Sequence, residues 1–273
     1  MLAASATSFW RDHGDFLLIL ISAVGEATFL GFMAKQKVWR KFPVFFIYIL
    51  WALVGDCLAL YLLGRISERD YYTFYARQSI VDSAIQFGVL VELTWSVLRP
   101  VRSSLPRKSI FVLALLIVIA GLAIWPFAGK TAPPGYTGLA ATTFHLEQTI
   151  GVLRIVCFLV MAGFSQILSI GWRDRELQIV TGLGFYSIAS LMITLGHSQQ
   201  VGDADNFHWL DQLSSASYFG TLFYWVMSFA TKEQERKDFS PQMQNLLLQL
   251  GGGARAGRIA LTDLPSERSR NKD

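Results

Sequence analysis

Seven apolar runs, each about long enough to cross a bilayer, occupy residues 14 to 231 and leave the chain few other ways to fold. A crossing helix needs roughly 20 mostly apolar residues, because each adds about 1.5 Å against a hydrocarbon layer about 30 Å thick. Backbone amides in that layer must be satisfied within their own segment, and a helix does this. The runs fall at 14–34, 42–64, 73–98, 109–128, 141–171, 176–197 and 207–231. A hydrophobic fraction of 52% beside only 16% charged residues fits the same class. The sequence therefore predicts an all-α fold, a polytopic membrane bundle of seven transmembrane helices.

Positive charge alternates between the connections. Those after runs one, three, five and seven carry thirteen Lys and Arg, among them Lys35, Lys41, Arg99, Arg107, Arg175 and Lys232. The opposite side carries four, Arg11, Arg65, Arg69 and Lys130. Basic connections stay in the cytoplasm, so the expected orientation has the N-terminus outside and the C-terminus cytoplasmic. The first run follows a nearly neutral flank and precedes its basic cluster, the order of an anchor rather than a cleaved leader. A multi-pass protein of a cell membrane is expected, with the lipid bilayer as its first partner.

In this reading residues 1–231 form the transmembrane domain and 232–273 a cytoplasmic tail. Ser240-Pro241 has the form of a helix start. Met243, Leu246, Leu247 and Leu250 then repeat at helical spacing before three glycines, which predicts a short amphipathic helix over about 241–250. The polar remainder is expected to be disordered. The formal charge of +4 resides in the inner connections and gives no reason to expect a nucleic-acid partner.

Five ionisable side chains fall well within the runs, away from their ends: Glu26, Asp56, Asp82, Glu92 and Arg154. Each costs roughly 2.5 to 3.5 kcal/mol near a helix centre, so each is expected to face the bundle interior. Such groups serve either as ligand and ion sites or as glue between helices. Gln78, Asp82, Glu92 and Ser96 share a sector of about 80° on the third helix, with Asp82 and Glu92 about 15 Å apart along it. Arg154 is expected to pair with Asp82 or Asp56. Four carboxyls against one guanidinium leave an imbalance for protonation, bound cations or water to resolve. On the seventh helix Asp211, Ser215, Tyr218 and Trp225 share a face that would line a polar pocket open to the outside.

His145, His197 and His208 lie toward the outer side with Glu147 and Asp211 nearby, and they are the candidates for a metal site. No His-Glu-x-x-His and no histidine pair at four-residue spacing supports one, and solvated surface is the simpler reading. No cofactor motif is present, and none is expected to be bound. Cys57 and Cys157 lie within runs as small apolar filler.

All eight lysines lie outside the runs, which excludes a retinal Schiff base. The signatures of rhodopsin-like receptors are missing: the relevant places read Val97-Leu98-Arg99-Pro100 and Leu222-Phe223-Tyr224-Trp225. The stretch Phe42-Pro43-Val44-Phe45-Phe46-Ile47-Tyr48, with Tyr71 to Tyr75 and Val91-Glu92-Leu93-Thr94-Trp95, resembles a group of uncharacterised seven-helix bacterial inner-membrane proteins. The resemblance implies that fold and membrane and supplies no activity.

The leading expectation is a receptor-like protein that binds a small molecule or lipid in an outer-half pocket framed by Asp56, Asp82, Arg154, Asp211 and Tyr218. It would signal through a cytoplasmic protein partner. The alternatives are a proton- or cation-coupled transporter using Glu26, Asp82 and Glu92 at successive depths, and an assembly subunit in which these groups only join helices. An outward-facing metal-dependent lipid hydrolase is the one enzymatic alternative.

Overall fold

Helix boundaries follow from where apolar runs meet turn and capping residues. The structure, a computed structural model, describes residues 2–62, 65–97, 109–128, 138–163, 174–199 and 204–231. The side chains at 2–15, 68–69, 71–72, 109, 140, 197–199 and 204–211 are outside that description, as is the whole tail with its expected helix at 241–250. The elements are α1 (Leu2–Lys35), a 3-10 turn (Val38–Arg40), α2 (Pro43–Leu62), α3 (Glu68–Val97), α4 (Ser109–Ala128), α5 (Leu139–Gly163), α6 (Arg175–Gln199) and α7 (Ala204–Ala230).

Local chemistry explains the breaks. Lys37 takes a left-handed conformation at φ 56°, and its N–H reaches the Ala34 carbonyl at 3.1 Å, which closes α1. Pro43 opens α2 at a position whose N–H has no partner inside a helix. Ser67 caps α3: its Oγ accepts from the Asp70 N–H at 3.2 Å and donates to the Asp70 carboxylate at 2.7 Å.

α1 to α6 each contain a stretch long and apolar enough to cross a membrane, as in a multi-pass membrane bundle. α7 has the length, at 27 residues, but Ser214, Ser215, Ser217 and Thr221 dilute its apolar content.

The helices close into a ring. Neighbours pack in the order α1, α2, α3, α5, α6, α7 and back to α1, while α4 leans on α3 and α5 from outside. This placement is consistent with composition, because the apolar stretch of α4 carries no ionisable or amide side chain to turn inward. Phe111 and Leu122 of α4 are 74% and 68% exposed, which suits lipid rather than water.

The main core sits at one end of the ring, where α1 finishes and α2 begins. We call it the lower end. Phe29 stacks on Trp225 at 5.6 Å, and Phe45 meets the same indole edge-on at 5.2 Å. Gly182 lets α6 approach α7 closely, since a Cβ there would run into the Trp225 indole. Gly184 does the same for α5 and α6 against Phe158.

Candidate ligand cavity

The upper half of the ring holds a cavity of about 330 Å³, walled by residues from α1, α2, α3, α5, α6 and α7. Glu26, Asp56, Asp82, Arg154 and Tyr218 all line it. Five of the side chains singled out from the sequence therefore meet in one place. Tyr75 and Glu147, both exposed, mark its rim.

Each wall is set by helical spacing. On α3, Gln78, Asp82 and Gln86 recur every four residues and present one polar stripe. Gln86 donates its amide to the Asp82 carboxylate one turn away. Ser79 on the flank of that stripe donates to Glu147 of α5. Tyr218 of α7 donates to Glu26 of α1, and Ser22 hydrogen-bonds Asp56. Every carboxyl in the wall thus has one neutral partner.

These partners do not satisfy the site. Glu26 is 1% exposed, and its second carboxylate oxygen has no hydrogen-bond partner. Asp56 Oδ2 is in the same position. Arg154, 5% exposed, has both Nε and Nη1 unpartnered, with the Tyr186 ring 5.5 Å below its guanidinium. The expected pairing of Arg154 with Asp82 or Asp56 is not formed: among the described residues neither lies within ion-pair distance of it. Arg154 acts on Asp82 and Glu147 through space instead. Buried polar groups are nearly always hydrogen-bonded, so unpartnered ones on both charge signs around a cavity indicate a place for something else.

Glu92 lies apart from the cavity. Its two carboxylate oxygens accept the Val44 and Phe45 N–H groups at 2.9 Å each, at the start of α2. Those amides would otherwise be free, and the positive end of the helix dipole favours a carboxylate there. Ser96, further down the same stripe, donates to Glu176 of α6 at 2.8 Å, and Lys41 pairs with that carboxylate at 3.6 Å. The Asp211 side chain falls outside the described residues, as do those of His197 and His208. His145 packs against Trp125 of α4 at 5.4 Å and does not line the cavity. Among the described residues no three of His, Cys, Asp and Glu gather closely enough to hold a metal ion.

Several functional neighbours were not singled out as site residues from the sequence. Tyr48 is buried in the cavity floor within electrostatic reach of Glu26, Asp82 and Arg154. Tyr186 meets Tyr218 edge-on at 5.7 Å. Glu147 was grouped with the outer histidines, although its spacing of seven residues from Arg154 already put both on one face of α5. Arg175, read as a loop charge, is 2% exposed and ties α6 to the end of α7. It donates to the Ser228 and Thr231 carbonyls at 2.8 and 2.7 Å and to the Gln36 side chain at 2.9 Å.

The site is thus a polar chamber over a closed floor, with Arg154 on α5 directly across the ring from Glu26 on α1. Comparison with known protein families, curated proteins and solved structures returned no match.

Proposed function

We propose that this chain is a seven-span, receptor-like membrane protein that binds a small polar molecule in the cavity from the non-cytoplasmic side. The observation that carries the reading is the set of unpartnered, buried atoms on the ionisable side chains Glu26, Asp56 and Arg154 in the wall of one cavity. α7 packs between α6 and α1, and Ser217 and Thr221 donate to carbonyls one turn back within it, which supports its crossing with them. The basic residues near the lower end, Lys35, Lys37, Arg40 and Lys41, support a cytoplasmic position for that end. The cavity then opens outward, and the tail lies on the side of a cytoplasmic protein partner. The resemblance to bacterial inner-membrane proteins supports that membrane as its location. The polar wall favours a small soluble molecule over an acyl chain.

Transport is the second reading, and one feature favours it. The ring consists of two successive triplets, α1–α3 and α5–α7, joined head to tail with α4 outside, as a parallel repeat would give. Against it stands the aromatic layer below Tyr48, which blocks a route to the other side, and Glu92, which is committed to the α2 backbone.

Two measurements test the pair. With Cys57 and Cys157 replaced by Ala, an Ala52→Cys variant places a thiol in the cavity wall. A membrane-impermeant maleimide added outside intact cells should label it. Labelling only from the cytoplasmic side, or only after denaturation, sinks the proposal. Flux of a bound solute into proteoliposomes would move the assignment from receptor to transporter.

A further inference from the structure

The cavity separates its unpartnered charges by sign, and the separation specifies a ligand class. Six helices close the ring in the order α1, α2, α3, α5, α6, α7, so α5 stands opposite α1, with α2 beside the latter. The cation, Arg154, is on α5. Glu26 and Asp56, each with a fully buried carboxyl oxygen that has no partner, are on α1 and α2 and act on each other through space. Asp82 and Glu147 each have one neutral partner too, Gln86 and Ser79, and differ in sitting near Arg154, which acts on both through space without pairing to either. A guanidinium with open N–H groups recognises a carboxylate, for which its planar fork is shaped. A pair of adjacent carboxyls beside the Tyr218 and Tyr48 rings recognises an ammonium, by charge and through the ring faces.

We infer that the cavity binds a free amino acid or a closely similar zwitterion, its carboxylate at Arg154 and its ammonium between Glu26 and Asp56. This rests on the cavity being a binding site, as proposed above, and adds the identity of what it takes. Size agrees: about 330 Å³ is at the small end of the range of roughly 300 to 1,000 Å³ typical of small-molecule sites. The alternative occupants fail on charge. A simple anion leaves the second oxygens of Glu26 and Asp56 without a partner, and a simple amine leaves Nε and Nη1 of Arg154 open. One molecule carrying both groups answers both walls.

The test uses the full chain in lipid nanodiscs and titration calorimetry with L-alanine, L-norleucine and L-lysine, each beside its decarboxylated amine. At least one amino acid should bind at least tenfold more tightly than its amine. Arg154→Gln should bring that ratio close to one, and Glu26→Gln should weaken amino acid and amine together. Arg154→Lys, which keeps the charge but not the fork, is the control for folding and should retain part of the discrimination. Amines that bind as well as their amino acids, or no binding by any of the six compounds, would overturn the inference. The Ala52→Cys labelling separates the two levels. Outside labelling without amino-acid binding removes only the ligand class, whereas no outside labelling removes the binding site as well.

Discussion

The third helix runs through two regions that treat the same kind of side chain in opposite ways. Its lower half carries Glu92 and Ser96, and each is committed to protein: Glu92 to two backbone amides of α2, Ser96 to Glu176. Its upper half carries Gln78, Asp82 and Gln86 on the same stripe, and these face a cavity. Below, Arg175 is saturated by carbonyls from α7 and by Gln36. Above, Arg154 is equally buried and has two nitrogens without a partner. Burial of charge is common to both halves; satisfaction of charge is not. A buried arginine with a full set of acceptors fixes helices, and one without them waits for a partner.

The largest effect that tests this contrast is expected at Arg175. Arg175→Ala takes the donor from the Thr231 carbonyl and the Gln36 side-chain oxygen, cuts the tie between α6 and the end of α7, and removes a cation from that end. A loss of about 3 to 5 kcal/mol is expected. At roughly 2 to 4 °C per kcal/mol, the midpoint of thermal unfolding in detergent should fall by roughly 10 °C. A fall of only a degree or two would mean that the lower half is no better fixed than the upper.

Next in size is Gly182→Ala. The added methyl meets the Trp225 indole, which is itself held by stacking on Phe29 and by donation to the Gln178 carbonyl at 3.3 Å. Neither helix has room to give. Overpacking of this kind costs about 1 to 3 kcal/mol and should appear as a lower unfolding midpoint. If the variant is neutral, α6 and α7 are not locked at that level and the floor of the cavity is free to open, which would favour transport.

Much of this was legible in the sequence, and the part that was not has a physical reason. Hydropathy located the described helices to within a few residues apart from the starts of α1 and α3, because length and composition alone decide what hydrocarbon accepts. The end of the fifth run, at 164–171, lies outside the described residues. The meeting of Glu26, Asp56, Asp82, Arg154 and Tyr218 followed from the rule that intramembrane polar groups turn inward. That rule does not say which partner each inward group finds. Glu92 shares a stripe with Asp82, and only the position of Pro43 hinted that free amides lay at the depth of Glu92. Arg175 gave no local sign beyond Gln178 one turn on, since its other acceptors lie more than fifty residues away, in Gln36 and at the end of α7. The position of α4 outside the ring was readable in its uniformly apolar stretch, because a helix with nothing polar to hide has no need of the interior.

A smaller loss is expected from Glu92→Gln. The amide keeps one acceptor for either the Val44 or the Phe45 N–H but leaves the other open and removes the charge from the α2 dipole. About 1 kcal/mol of stability should be lost, read as a drop of roughly 2 to 4 °C in the unfolding midpoint. Ligand binding should be unchanged, and a change in affinity would extend the site into the lower half.

The smallest effect on stability, and the one that most sharpens the contrast, is expected at Glu26. Glu26→Gln preserves an acceptor for the Tyr218 hydroxyl while removing an ionisable group whose other oxygen has no partner. Replacing such a group by a neutral isostere is often neutral or stabilising, because the desolvation cost it carried was not recovered. Sites kept for function tend to behave this way, trading stability for readiness. The unfolding midpoint should therefore stay within a degree or two of the parent or rise, although binding weakens. Should Glu26→Gln instead destabilise as much as Glu92→Gln, the Glu26–Tyr218 contact is joining α1 to α7 as firmly as Glu92 joins α3 to α2. The upper half would then be a second set of helix fastenings, and the assembly-subunit reading would replace the receptor.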